Sequence, residues 1–354
     1  VLRLAGRWQR GPLDKPVLLF LIVALASMFA GLWSHTLDNP GYAFFNAFKW
    51  GQYFLLCAIA YQMDNPGKGI AYLFAGMFAA ALILAAFGFW EHFHPLAEVF
   101  VGNYYRLFER PPFFAQANHF GIFLAMVLSL ALPLFLRFRR TVALLGLFTG
   151  CLGISFAMHW TYSRISYIAA ALSFGIICLL SKRLRLVLVA LCLLLAPLVL
   201  SPRVGDRVAS IRTTLSQDEF SSSVTARFLR WETLSKSVGE YPLLGTGIGA
   251  RDRAFYESFW MQLLCETGVV GTLAYLGILA VLAGTLMRRY RRLKDAGDFA
   301  SSLLPAFAGI FIALLLTGAT LVDFIITAIA APFWTLCGFM LRASEAVPAG
   351  VSVS

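Results

Sequence analysis

Residues His119–Arg140 read HFGIFLAMVLSLALPLFLRFRR and decide the fold class. The part up to Leu136 is apolar over about 18 residues, and as an α-helix it would be long enough to cross the ~30 Å hydrocarbon core of a bilayer. Three arginines follow within four positions, at Arg137, Arg139 and Arg140. An apolar run that ends in a basic cluster is typical of a transmembrane helix that emerges on the cytoplasmic side.

The rest of the chain resembles this segment in composition. The full chain has 354 residues, of which 59% are hydrophobic and 13% are charged, and its mean hydropathy is +0.75. Soluble domains carry about 25% charged residues. The composition predicts an all-α, polytopic transmembrane helical bundle. Hydropathy predicts about ten spans, near residues 17–34, 42–63, 69–90, 119–136, 141–161, 165–181, 184–200, 259–287, 303–321 and 324–341.

These spans divide the chain into three predicted parts. Residues 1–200 form N-terminal transmembrane helices, residues 201–258 form a large loop with short helices, and residues 259–354 form C-terminal transmembrane helices and a tail. The orientation follows from charge, because Lys and Arg accumulate in cytoplasmic loops. With the N-terminus in the cytoplasm, the basic clusters fall on the cytoplasmic side: Lys68, Arg137, Arg139, Arg140, Lys182, Arg183, Arg185, Arg288, Arg289, Arg291, Arg292 and Lys294.

Net charge and the spacing of cysteines and histidines argue against a nucleic-acid partner, disulfides and a metal site. The formal net charge of +11 is of the kind that cytoplasmic loops produce, so no nucleic-acid partner is expected. The six cysteines form no CxxC pair and lie in apolar runs, so neither a disulfide framework nor a metal site is predicted. Three of the histidines, His92, His94 and His159, lack metal-ligand spacing.

The accumulation of Lys and Arg in cytoplasmic loops does not explain the arginines that are predicted on the extracytoplasmic side. Arginine presents a planar fork of donors that pairs bidentately with phosphate oxygens, so these side chains suggest an anionic, lipid-linked substrate. The alternative is contact with lipid headgroups, or ion pairs with nearby carboxylates that contribute little. The candidates are Arg106, Arg110, Arg164 in the turn TYSRISY, Arg227 and Arg230.

A glycine-rich segment follows the helix that carries Arg227, Arg230 and Trp231. Pro242 is expected to end that helix. The glycines in PLLGTGIG would allow a tight turn and a close approach of the backbone to a ligand, and they are Gly245, Gly247 and Gly249. No βαβ unit surrounds them, so a dinucleotide-binding fold is rejected.

Two further residues stand at predicted helix starts. Glu257 precedes the apolar run from Phe259, where a carboxylate is either a dipole-favoured cap or a general base that accepts a hydroxyl proton. Asn118 precedes the apolar run from His119 and is expected to cap that helix, as well as to contact substrate.

The chain resembles the O-antigen ligase and O-antigen polymerase superfamily, whose members are bacterial membrane glycosyltransferases. Four stretches carry the resemblance in order: PFFAQANHFGIFLAM, then YSR at a helix junction, then ARFLRWETL…YPLLGTGIG, and finally ESFWMQLLCETGVVG. The PLLGTGIG motif after an Arg–Trp helix is the most specific of them.

The resemblance implies a donor carried on undecaprenyl pyrophosphate, a glycan or lipid A-core acceptor, an active site at the periplasmic face of the inner membrane, and no metal or cofactor. It implies that Arg164 and Arg227 bind the pyrophosphate. It also implies about twelve spans in the full protein, so an N-terminal segment is expected to be missing. Ligases usually carry His-Asn where this chain has Glu257–Ser258, which favours a repeat-unit polymerase over a ligase.

A rival class is a transporter or flippase of polyprenyl-linked glycans. Transporters concentrate ionisable groups near the membrane midplane. Here Lys49 is the basic residue deepest in a span, and most polar residues gather near the outer edge. This distribution favours the enzyme.

Overall fold

A computed structural model describes residues 8–37, 39–93, 100–101, 104–105, 116–201, 231–232, 234–250, 258–295 and 299–346. Every predicted span corresponds to helical structure. The elements are α1 (Asp14–Trp33), α2 (Pro40–Tyr61), α3 (Pro66–Phe93), β1 (Phe100–Val101), β2 (Tyr104–Tyr105), α4 (Ala117–Ala131), α5 (Leu134–Arg137), α6 (Thr141–Trp160), α7 (Arg164–Ser181), α8 (Leu184–Leu200), α9 (Phe259–Asp295), α10 (Phe299–Thr317) and α11 (Thr327–Ala346). The two strands pair antiparallel and are two residues long.

The predicted class of a polytopic helical membrane protein is confirmed. Among the described residues, seven helical segments are long and apolar enough to cross a membrane, and they begin at Asp14, Pro66, Ala117, Thr141, Arg164, Phe259 and Phe299. The other three predicted spans form helices that do not meet this measure. Helix α8 is apolar but has only 17 residues, while α2 and α11 carry polar residues such as Lys49 and Arg342.

Short connections are fixed by helix caps that the sequence encodes. The Asn39 side chain accepts the Tyr42 N–H at 3.0 Å and Pro40 opens α2. Asn65 accepts the Lys68 N–H at 3.0 Å ahead of α3, where Pro66 is the first helical residue. A capping side chain satisfies a donor that the helix cannot pair internally, and Pro costs nothing at the first helical position.

The contacts divide the described residues into two compact units. The first lies within Val1–Ile70, Ser221–Ser301 and Gly318–Ser354. Its helices α1 and α2 pack together, α1 also packs on α9, and α11 packs on α2 and α9. Its core is a cluster of aromatic rings at centroid distances of 4.9–6.5 Å, formed by Phe20, Trp50, Phe54, Phe259, Trp260, Tyr275, Phe324, Phe333 and Trp334.

The second unit lies within Ala71–Phe220 and Ser302–Thr317. Helix α4 is at its centre, since nearly all of its residues are buried and it packs on both α6 and α7. Small residues allow the close approaches that membrane helices rely on. At Gly121 of α4, an added Cβ would lie 2.7 Å from Ser166 Cβ of α7 and 3.1 Å from Thr161 Oγ1. Helix α8 packs against α6 and α7.

Candidate functional site

Arg164 is the first residue of α7, in the second unit, and is half-buried. Helix α6 ends at Trp160, so only three residues, Thr161–Ser163, turn the chain between the two helices. Ser163 is the N-cap of α7, and its side chain accepts the Ser166 N–H at 3.4 Å. The chain therefore reaches Arg164 through a three-residue turn, and Arg164 itself begins a helix and does not lie in a loop.

The turn has a costly backbone conformation. Tyr162 lies in the left-handed region with φ 50° although it is a bulky residue that is only 3% exposed. This conformation costs a non-glycine residue about 1–2 kcal/mol. Hydrogen bonds offset the cost: the Tyr162 N–H donates to the His159 carbonyl oxygen at 3.0 Å, and the Thr161 hydroxyl donates to the Met158 carbonyl oxygen at 2.7 Å. Strain held in this way is often found at functional sites.

Asn118 lies close to this turn through the backbone. The Ser166 hydroxyl oxygen is 2.8 Å from Ser163 Oγ and 3.3 Å from the Asn118 carbonyl oxygen. The prediction that Asn118 caps its helix is wrong, because α4 begins at Ala117, its N-cap is Gln116, and Asn118 is already the second helical residue. Asn118 is half-buried. The structure thus places the backbone of Asn118 beside Ser166, in the first turn of the helix that Arg164 begins.

The predicted glycine-rich turn lies in the first unit, against an interruption in α9. Gly268 breaks α9 with φ 65° and ψ −170°, a conformation open essentially to glycine alone. The break frees backbone groups on both sides, and the turn pairs them. The N–H groups of Thr246 and Gly247 donate to the carbonyl oxygens of Cys265 and Glu266 at 2.8 and 3.1 Å.

On the C-terminal side of the break, α9 donates the hydrogen bonds and the glycine-rich segment accepts them. The N–H groups of Val269 and Val270 donate to the carbonyl oxygens of Pro242 and Leu243 at 2.9 and 3.2 Å. Together these four hydrogen bonds replace the helical ladder that the break interrupts. Unpaired backbone groups are expensive inside a membrane protein, so the turn and the break require each other.

All three predicted glycines have positive φ, and each makes a close contact with protein. A Cβ at Gly245 (φ 69°) would lie 2.7 Å from the Gly268 nitrogen. At Gly247 (φ 101°) it would lie 2.8 Å from Leu37 Cδ1, and at Gly249 (φ 92°) 2.8 Å from Ala43 Cα. The described contacts therefore explain these glycines by packing, and their contact with substrate stays a prediction.

Buried polar side chains surround this turn, and sequence analysis missed them. The Ser27 hydroxyl donates to the Glu266 carbonyl oxygen at 2.5 Å, and the Thr36 hydroxyl donates to the Thr246 carbonyl oxygen at 2.6 Å. The Glu266 side chain is 3% exposed and its Oε1 accepts the Gln262 amide at 2.9 Å. A carboxylate inside an apolar run is rare in membrane helices, and this signal could have identified Glu266.

Ser258 caps the start of α9. Ser258 Oγ accepts the Met261 N–H at 3.4 Å and its hydroxyl donates to the Gly318 carbonyl oxygen at 3.2 Å. The Phe259 N–H donates to the same carbonyl oxygen at 2.8 Å. Glu257 precedes this cap in sequence and lies outside the described residues, so its role stays a prediction.

Four other candidates also lie outside the described residues: Arg106, Arg110, Arg227 and Arg230. The helix predicted to carry the last two is described from Trp231 onwards. It ends at residue 240, two positions before Pro242. Trp231 packs against a buried cluster of Leu234, Cys265 and Val322, which ties this helix to α9.

Comparison with known proteins agrees with the motifs. No curated protein matches the chain in sequence. Residues 149–276 match the family model described as O-antigen ligase. The matched segment includes the Arg164 turn, the glycine-rich turn and the break in α9. This match confirms, over residues 149–276, the resemblance to the O-antigen ligase and polymerase superfamily that the sequence motifs indicate.

Proposed function

We propose that the protein is a repeat-unit polymerase of bacterial envelope polysaccharide. It moves a glycan from undecaprenyl pyrophosphate to a sugar hydroxyl at the periplasmic face of the inner membrane. The observation that carries this proposal is the position of the family match. Residues 149–276 contain Arg164, Arg227 and Glu257, the three residues assigned to the chemistry.

In the proposed reaction, the acceptor hydroxyl oxygen attacks the anomeric carbon of the donor glycan. The bond from that carbon to the pyrophosphate oxygen breaks as the new glycosidic bond forms. Negative charge grows on the pyrophosphate, and Arg164 and Arg227 stabilise it, as pre-positioned cations do in many active sites. Glu257 accepts the hydroxyl proton. No redox partner is required, and undecaprenyl pyrophosphate leaves.

The position of Arg164 supports its part in this reaction. It stands at the N-terminal end of α7, where the helix dipole favours an anion. Its supporting turn is buried and cross-linked by hydroxyl groups, which limits movement of the Arg164 backbone. An arginine that binds phosphate bidentately needs a backbone that is held in place, because its guanidinium group pairs with phosphate oxygens in a defined orientation.

The break in α9 bears on the rival transporter hypothesis. In transporters, the carbonyl groups freed at a broken helix coordinate the transported ion. Here the carbonyl groups of Cys265 and Glu266 accept N–H groups of the glycine-rich turn. A break that is paired with protein in this way supports a structural role for Gly268, and it favours the enzyme.

A second candidate is an O-antigen ligase that transfers the glycan to lipid A-core. The description of the matched family model favours it, whereas the Glu257–Ser258 sequence in place of His-Asn favours the polymerase. Purified protein incubated with an undecaprenyl-pyrophosphate oligosaccharide would separate the two. Lengthened lipid-linked chains support the polymerase. Transfer only to added lipid A-core supports the ligase, and no transfer to either acceptor contradicts both.

A further inference from the structure

The carbonyl group of His159 connects the end of α6 to the first turns of α7. It accepts the Tyr162 N–H at 3.0 Å and also the Tyr167 hydroxyl at 2.5 Å. The first donor belongs to the strained turn and the second to α7. One oxygen atom therefore joins the turn that precedes Arg164 to the helix that follows it.

The two side chains of this connection also contact each other. The His159 and Tyr167 rings are stacked, with centroids 4.9 Å apart and an interplanar angle of 17°. His159 Nδ1 lies 2.8 Å from the Ser155 carbonyl oxygen. Because a carbonyl oxygen only accepts, Nδ1 carries the proton, and this bond fixes the plane of the imidazole. His159 is 2% exposed and Tyr167 is 8% exposed, so both rings are held in place.

Tyr167 is three residues after Arg164 on α7, and residues at this spacing share one face of a helix. The clamp formed by His159 and Tyr167 therefore holds the turn of helix on which Arg164 stands. Without it, the left-handed backbone at Tyr162 would lose part of the support that offsets its strain. A small rotation at the start of α7 would move the end of the arginine side chain by more than it moves the backbone.

We infer that Tyr167 and His159 are positioning residues that fix the orientation of the Arg164 guanidinium toward the pyrophosphate of the donor. The inference rests on the proposed function. Neither residue needs to touch the substrate. Misplacement of a group by about 1 Å is enough to cost about 10²-fold in rate, so loss of a single hydroxyl in this clamp is expected to be measurable.

The test is Tyr167→Phe, which removes the hydroxyl and keeps the stacked ring. We expect kcat for glycan transfer to fall about tenfold or more, with a smaller change in KM, because the charge on the pyrophosphate is largest in the transition state. The matched control is Tyr53→Phe in the first unit, where the Tyr53 hydroxyl also donates to a backbone carbonyl, that of Ile325, at 2.7 Å. The control is expected to keep kcat while losing similar thermal stability.

A double-mutant cycle with Arg164→Lys separates positioning from general stability. Lysine is a flexible point charge without the planar fork, so its orientation matters less. Tyr167→Phe should then change kcat/KM by no more than about twofold in the Arg164→Lys background. The same loss in both backgrounds, or an equal loss in Tyr53→Phe, would overturn the inference. If Arg164→Lys has no turnover, the cycle is measured on the Kd of undecaprenyl pyrophosphate in detergent.

The outcome also distinguishes this inference from the proposed function. Full transfer activity in Arg164→Ala would contradict the proposed role of Arg164 itself. Loss of activity in Arg164→Ala together with normal kcat in Tyr167→Phe would leave that role intact and would contradict the clamp.

Discussion

Arg164 is a predicted site residue, and the structure places it at the start of α7 after a three-residue turn. We expect Arg164→Ala to lower kcat for glycan transfer by about 10²–10³-fold, the size typical for loss of one pre-positioned electrostatic group. Arg164→Lys should recover little, because it keeps charge and loses the bidentate fork. The control is Arg183→Ala, an exposed arginine that follows the other end of α7. Full activity in the lysine variant would mean that only diffuse charge is required.

Glu257 can be separated from the helix cap beside it. We expect Glu257→Gln to lower turnover by about 10²–10⁴-fold if it removes a general base, with the melting temperature nearly unchanged. Ser258→Ala should do the reverse: it removes the observed cap of α9 and costs about 1 kcal/mol of stability, while the folded fraction keeps its activity. Near-normal turnover in Glu257→Gln would contradict the assignment of the base.

At the scale of elements, α9 depends on a glycine at its break. Gly268→Ala should strongly lower the melting temperature in detergent, because alanine is excluded from the Gly268 conformation and its Cβ would meet the Gly245 nitrogen at 2.7 Å. Gly277→Ala in the same helix is the control. Apart from the helix's own backbone, the described residues place no atom within 4 Å of a Cβ there, so the change should be neutral or stabilise by up to about 1 kcal/mol. Equal stability of the two variants would contradict the proposed pairing of turn and break.

The same element shows what sequence can and cannot predict. Hydropathy predicted the span at 259–287 because apolar length is a local property. It did not predict the break, since Gly268 resembles any tolerated helix glycine until the turn that pairs with it is known. That turn lies about twenty residues upstream, at Pro242–Gly247. The roles of Ser27 and Thr36 were missed for the same reason, as each depends on a partner distant in sequence.

At the scale of the whole molecule, the ten apolar segments were predictable and their grouping was not. The span at 119–136 was predicted as one helix, and it corresponds to one helical segment, Ala117–Arg137, with a turn at Leu132–Pro133 between α4 and α5. The two contact units each join segments from both halves of the sequence. Helix packing in lipid is decided by small residues and hydrogen bonds between helices, which a hydropathy profile does not contain. The division at residues 200 and 258 stays a prediction.

Helix α9 offers a direct test of how the protein is oriented in the membrane. The part of α9 after its break at Gly268, residues 269–288, has about 20 residues and is about 30 Å long as a helix, the thickness of the hydrocarbon core of a bilayer. Exposed positions near its two ends should therefore face opposite compartments. The basic cluster from Arg288 onwards predicts that the C-terminal end is cytoplasmic, and it therefore predicts that the glycine-rich turn lies on the periplasmic side.

We expect a cysteine at Glu240 to react with an impermeant thiol reagent in intact cells, and a cysteine at Arg288 to react only after the membrane is permeabilised. Both side chains are exposed in the structure, so a difference in labelling reports the compartment and not burial. The six native cysteines would be replaced by serine or alanine, and each variant would be checked for glycan transfer first. Labelling of Arg288→Cys in intact cells would reverse the orientation. The arginines proposed to bind pyrophosphate would then face the cytoplasm, where the positive-inside rule alone would explain their charge.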